Sequence, residues 1–240
     1  MDRMSNLEKS FRSLKWYEWL MAVIMILIAG FTMVSAFVDP ASSANPPWLT
    51  VLNFISAVCG VVCIFFCAKA NISNFAFGLV NTVVYTIYLW YWHIWGTMCL
   101  EMFFYFPVNI ISWIIWARHR DNIEPEKTMA KKLTYAQDAA VGAVVIVSTI
   151  IYHAILVRVG GNVAWLDAAT VSIGIIATVL EMLRYREQYV LWLITDVVAV
   201  AMFIQHFDPV YLTKKSIYLI MAVIGLINWC KLQRRNEANE

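Results

Sequence analysis

Eight apolar runs follow one another along the chain, at 19–38, 50–68, 73–91, 97–117, 138–157, 163–183, 189–206 and 211–230. Each approaches the ~20 residues that an α-helix needs to cross the hydrocarbon core of a bilayer. Short polar breaks separate them: Asp39-Pro40 and the stretch to Pro47, Lys69-Ala70-Asn71, residues 93–96, the charged connector 118–132, Gly160-Gly161, residues 184–188 and residues 206–209. No water reaches the bilayer interior, so backbone N–H and C=O groups there must bond within their own segment, and such runs are read as helices. The pattern predicts an all-α polytopic membrane protein with eight transmembrane helices. The first run follows a basic start containing Arg3, Lys9, Arg12 and Lys15. It is longer than the roughly 7–15 residues of a signal-peptide core, which predicts a retained helix.

Composition agrees, with 61% of the 240 residues hydrophobic against 18 Lys and Arg and 16 Asp and Glu. A soluble domain is about half apolar and about a quarter charged, so the excess apolar surface must face lipid. The net charge of +2 is too small, and the basic residues too scattered, for a nucleic-acid surface. They are sorted by side instead. Fifteen fall before the first run, at Lys69, in 118–132, at 184–186 and after 230, while Arg158, Lys214 and Lys215 fall on the opposite side. The asymmetry predicts cytoplasmic termini and an even number of crossings. Cys59, Cys63, Cys67, Cys99 and Cys230 lie in or beside apolar runs without CxxC spacing, which predicts small packing residues rather than a disulfide framework or a metal site.

The two halves of the chain resemble each other. Trp113 and Trp229 each sit near the end of a long apolar run followed by basic residues, and residues 74–81 lie over 189–196 without a gap. In that register Asn74 matches Tyr189, Phe77 matches Trp192 and Asn81 matches Asp196. The expected organisation is an N-terminal segment with an extra helix (1–49), a first three-helix repeat (50–117), a connector with a linker helix (118–162), a second three-helix repeat (163–230) and a tail (231–240). A single linker helix gives both repeats the same orientation, a 3+1+3 arrangement of parallel repeats.

Several runs carry polar and aromatic residues that lipid-facing helices do not need. Glu101, Tyr105, Asn109, Trp113 and Trp116 recur at three- and four-residue spacing in the fourth run. Tyr189, Trp192 and Asp196 share a face of the seventh, Asn74 and Asn81 lie seven apart in the third, and Tyr218 and Asn228 are in the eighth. A carboxylate near the centre of a span costs ~2.5–3.5 kcal/mol on insertion scales, which makes Asp196 the leading functional candidate. The plainer readings are interhelical hydrogen bonds for the amides and an interfacial belt for Trp90, Trp92 and Trp95. Aromatic faces, amides and carboxylates together suit a flat, polar, cationic small molecule.

At these residues the chain resembles the PnuC family of nicotinamide riboside (vitamin B3) transporters. The resemblance rests on Ile72-Ser73-Asn74, Phe77-Gly78-Leu79 and Asn81, then Phe103-Phe104 with Asn109, Trp113 and Trp116, and in the second half Asp167, Glu187, Trp192 and the polar residue 196. It covers about 50–232. It implies a SWEET-like homotrimer of the bacterial inner membrane that moves the riboside by facilitated diffusion, with a cytoplasmic riboside kinase trapping the product. Two features depart from the family pattern: Tyr189 and Asp196 where Trp and Asn are frequent, and Glu101 or, one residue off, Met102 near a family Gln.

The expected mechanism is alternating access. Tyr189 and Trp192 stack on the ring, Asp196 and Glu101 face its charge, Asn74, Asn81, Asn109 and Tyr218 complete the substrate-binding set, and Trp113 and Trp116 gate the cytoplasmic side. Thiamine, another cationic vitamin, is the alternative substrate, and a proton-coupled carrier is the alternative mechanism. An enzyme or receptor fits less well, since the chain has no HExxH pair, GxSxG or phosphate loop. No metal or cofactor is expected, and the partners are the substrate and the lipid bilayer.

Overall fold

The computed structural model describes residues 6–39, 45–158, 165–205 and 209–238. The expected breaks at Gly160-Gly161 and at 206–208, most of the stretch between Pro40 and Pro47, and the side chain of Asp167 lie outside the described residues. The helices are α1 (Asn6–Arg12), α2 (Trp16–Val38), α3 (Pro47–Cys67), α4 (Asn74–Tyr91), α5 (Trp95–Leu100), α6 (Phe106–Arg118), α7 (Tyr135–Arg158), α8 (Trp165–Met182), α9 (Gln188–Gln205) and α10 (Pro209–Ala238). A π-helical turn, Glu101–Tyr105, joins α5 to α6. Among the described residues, five segments are long and apolar enough to cross a membrane: Trp16–Val38, Pro47–Cys67, Trp95–Arg118, Tyr135–Ile155 and Leu212–Ala238. Shorter apolar helices cover Ala168–Met182 and Gln188–Ala201.

The chain forms two compact units, Met1–Thr128 and Met129–Glu240. In the first, α3 packs against α2 and α4, and α4 against α6. The short α1 closes one end. Its Phe11 ring lies 5.0 Å from Phe66, 6.2 Å from Trp19 and 6.4 Å from Phe77, and buried Ser10 accepts a 2.6 Å hydrogen bond from Asn71 Nδ2. Beneath it, Lys69 pairs with buried Glu18 at 2.7 Å, and the same carboxylate caps α2 by accepting the Lys15 N–H at 2.7 Å. In the second unit α8 packs against α7 and α9, and α9 against α10.

The turn between α3 and α4 and the turn between α8 and α9 are built alike. Ala70 and Arg184 both adopt left-handed backbone, with φ of 56° and 69°. Asn71 N–H bonds Phe66 O and Tyr185 N–H bonds Leu180 O, each at 2.9 Å, the long closing bond of a Schellman C-cap. Each turn then receives one part of the connector as a short ladder. Thr128 N–H donates to Ala70 O at 3.0 Å and Ile72 N–H to Glu126 O at 2.9 Å; Lys131 N–H donates to Arg184 O at 2.8 Å and Arg186 N–H to Lys131 O at 3.0 Å.

These bonds equate Ala70 with Arg184, Asn71 with Tyr185 and Asn74 with Gln188. The correspondence is one residue off the expected register, so Asn74 is the counterpart of Gln188 rather than of Tyr189. Both are fully buried at the first position of their helix. The error has a physical origin: apolar helices match one another in several ungapped registers, whereas backbone hydrogen bonds count residues. The usual marker of such a cap, glycine at the left-handed position, is replaced by Ala70 and Arg184.

The aromatic packing corrects a second match. Phe75 meets fully buried Trp116 edge-to-face at 4.7 Å, and Tyr189 meets fully buried Trp229 at 5.9 Å. Phe75 and Tyr189 are equivalent in the turn-based register and each packs on a fully buried tryptophan, so by packing Trp116, not Trp113, plays the part of Trp229, one position off that register.

Candidate functional site

In the first unit the polar residues come from α3, α4 and the α5–α6 segment. Asn81 on α4 accepts a hydrogen bond from Ser56 on α3 and lies against Gly60. Asn109 on α6 approaches α4 where it has no side chain: a Cβ at Gly78 would come within 3.1 Å of both Asn109 amide atoms and 3.3 Å of Cys63 Sγ. The glycine is therefore the space that the amide occupies. At Gly60 a Cβ would meet Asn81 at an ordinary 3.5 Å. Alanine favours a helix over glycine by about 1 kcal/mol. Gly60→Ala is accordingly expected to raise the melting temperature of the detergent-solubilised protein by a few degrees, and Gly78→Ala to leave it level or lower it, because Asn109 must shift. Differential scanning fluorimetry of the two variants checks the contrast.

The π turn has a clear cause and consequence. Pro107 has no N–H and its ring crowds the carbonyl four residues back; a wider turn relieves that crowding, and the Phe106 N–H reaches Glu101 O instead. Glu101 and Asn109, eight residues apart, would drift roughly 80° around an uninterrupted α-helix. One extra residue in the wide turn cancels most of that drift, so Glu101 and Asn109 remain on one face. Glu101 is half-buried, and its carboxylate has no hydrogen-bond or ion-pair partner among the described residues. Asn74 lies deeper, fully buried at the start of α4.

The expected gate residues have different surroundings. Trp116 is part of the packed interior of the first unit, while Trp113 is 39% exposed. Trp90, Trp92 and Trp95 are all exposed, as a belt requires, and Trp92 Nε1 donates to Asn45 Oδ1 at 2.9 Å.

In the second unit, Tyr189 is buried between α9 and α10. Its ring takes the space beside Gly225, where a Cβ would come within 2.6 Å of Cζ and 2.8 Å of Cδ1. Tyr189 is thus held by packing, whereas Trp192, one turn along, is only half-buried. Asp196 is buried and forms an ion pair with Lys215, Nζ to Oδ1 3.2 Å. Lys214 and Lys215, which the charge count assigned to the side opposite the termini, both lie within α10, with their ammonium groups 5.7 and 5.5 Å from the Tyr218 ring centroid.

Sequence reasoning missed Lys215, although a signal was present. Asp196 lies ten residues before the break at 206–209 and Lys215 six after it, so an antiparallel helical hairpin places them within about one helical turn in depth, ~6 Å, which the long lysine stem spans. Ser56 and the contact of Gly78 with Asn109 were missed because nothing in a linear pattern says which helix faces which.

Comparisons with known proteins agree with this arrangement of helices. Residues 50–231 match the family described as nicotinamide mononucleotide transporter. A protein of Neisseria mucosa named nicotinamide riboside transporter PnuC is 30% identical over 246 residues, covering 95% of this chain and 90% of that protein. The chain belongs to the PnuC family. A second PnuC, from Haemophilus influenzae, is 28% identical over 214 residues, covering 89% of this chain and 91% of its own. The crystal structure of the vitamin B3 transporter PnuC is similar at a TM-score of 0.69 with 31% identity, over 93% of this chain and 94% of that one. These PnuC relatives are named as transporters, so the protein is an all-α, multi-pass membrane transporter and not an enzyme.

Proposed function

We propose that this protein takes up nicotinamide riboside across the bacterial inner membrane by facilitated diffusion, with alternating access and trapping by a cytoplasmic riboside kinase. The observation that carries this reading is the 30% identity over 95% of the chain to a protein named for that substrate. The proposed architecture is eight transmembrane helices, α2 to α10 with α5 and α6 forming one, in which an extra N-terminal helix precedes two parallel three-helix repeats joined by α7. The recurrence of the Schellman turn at Ala70 and Arg184 supports the repeat. Fifteen basic residues on one side against three on the other support cytoplasmic termini. The homotrimer rests on the family resemblance alone.

Recognition follows from the chemistry of each unit. In the first, Asn81 and Asn109 offer amides for ribose or carboxamide groups, and Glu101 offers an open carboxylate to the pyridinium charge. Asn74, deeply buried, supports them from the start of α4. In the second, Trp192 is placed to stack, Tyr189 backs it from the interior, and Asp196 and Tyr218 add a carboxylate and a ring face. Trp113 and Trp116 remain the proposed gate, Trp116 as its packed base and Trp113 as its exposed part. A carboxylate-bearing set disfavours the dianionic phosphate of a mononucleotide. The ion pair at Asp196 favours diffusion over proton coupling, because Lys215 already compensates the carboxylate.

Uptake of labelled riboside into proteoliposomes tests the proposal. Saturable uptake that unlabelled riboside blocks, that thiamine and the mononucleotide leave intact, and that an uncoupler does not slow is the expected result. Thiamine uptake without riboside uptake overturns the substrate, and loss of uptake with the uncoupler overturns the mechanism.

A further inference from the structure

Asp196 and Tyr218 add to Trp192 of the second unit two groups that suit an organic cation: an anion and an aromatic face. Both are engaged by Lys215, whose ammonium lies 3.2 Å from Asp196 Oδ1 and 5.5 Å from the Tyr218 ring centroid. An ammonium so placed makes the two contacts that a bound pyridinium would make. The partners differ in freedom. The Asp196 side chain is 7% exposed and held in the interior of the unit, while that of Lys215 is 30% exposed on a four-carbon stem with several rotatable bonds. When the pair opens, the lysine is the side that moves.

We propose that Lys215 is a tethered substitute for the substrate's positive charge, holding Asp196 and Tyr218 in the empty carrier and yielding them to an arriving organic cation. The inference rests on the reading that these two residues meet substrate. It has two consequences. The empty carrier never presents an uncompensated carboxylate within the membrane, so its return step needs no proton or metal ion. A neutral ligand of the same shape gives Asp196 nothing in exchange for the ammonium, so Lys215 together with Asp196 selects for charge.

Titration calorimetry of the purified full-length protein tests this with two probes of similar shape, nicotinamide riboside and its uncharged dihydro form. The wild type is expected to prefer the cation. Lys215→Met removes the competitor and is expected to tighten riboside binding about tenfold if the lysine holds the carboxylate nine-tenths of the time, with a smaller change for the neutral probe. Asp196→Asn/Lys215→Met keeps the site uncharged, guards against a misfolded single variant, and is expected to lower the cation preference below that of the wild type. A merely structural ion pair would change the melting temperature of these variants and leave the ratio of the two dissociation constants where it was; that unchanged ratio overturns the proposal. Failure of the wild type to bind riboside overturns the transport reading and this inference with it, whereas riboside binding with an unmoved ratio overturns this inference alone.

Discussion

Lys69→Met is expected to lower the melting temperature of the detergent-solubilised protein by roughly 10 °C. Glu18 is 1% exposed and Lys69 10%, with their charged atoms 2.7 Å apart. Removing one member of a buried pair leaves an uncompensated charge, at a cost of about 3–5 kcal/mol, and for a chain of this size each kcal/mol moves the midpoint by about 2–4 °C. Burial also pushes the Lys69 ammonium below its ordinary range despite the opposing pull of Glu18. Desolvation therefore outweighs attraction at Lys69, and replacing both members of a buried ion pair by apolar side chains of like volume is often neutral or stabilising. The double variant Glu18→Leu/Lys69→Met, which removes both charges, is accordingly expected to recover most of the loss. Thermal unfolding followed by tryptophan fluorescence measures both; a double variant as unstable as the single one would contradict this account. Lys69 also donates to Ser13 O, so the single variant should loosen α1, read as faster proteolysis near residue 13.

Gly225→Ala is the second large effect. The added methyl would lie within 2.6 Å of Tyr189 Cζ, closer than two carbon atoms can approach. The ring cannot swing clear, because it is buried and packed on fully buried Trp229. Overpacking of this kind costs about 1–3 kcal/mol, and only part of it is offset by the ~1 kcal/mol that alanine gains over glycine in a helix. The shifted ring also disturbs Trp192 one turn along α9, so riboside uptake should fall more than the quantity of folded protein. Combining Gly225→Ala with Tyr189→Leu makes room for the methyl. The pair should then be coupled by about 1 kcal/mol or more, the double variant being more stable than the sum of the single losses predicts. Strict additivity would mean that the ring and the glycine are independent.

The membrane class and the helical runs were legible because they depend on one-dimensional quantities. A span needs a certain length of apolar residues, and the segment must satisfy its own backbone; neither condition refers to the rest of the molecule. The PnuC relationship was legible for a similar reason, since Phe77-Gly78 and the Asn109 to Trp116 segment are contiguous in sequence. Asp196 stood out as a carboxylate in an apolar run, and its position alone marked it as costly.

Pairing across helices was not legible. The linear pattern put Lys215 near the start of the last apolar run, and only the packing of α9 against α10 turned it into the counter-ion of Asp196. The π turn at Glu101–Tyr105 decided that Glu101 and Asn109 share a face, and the backbone bonds of two turns decided that Asn74 answers to Gln188. Hydropathy is a property of each residue by itself, so the sequence determined solvent, helix content and family. Counter-ions, register and the space beside a glycine are properties of two surfaces at once, and their free energy exists only when helices meet at a distance of a few ångströms; those the tertiary structure decided.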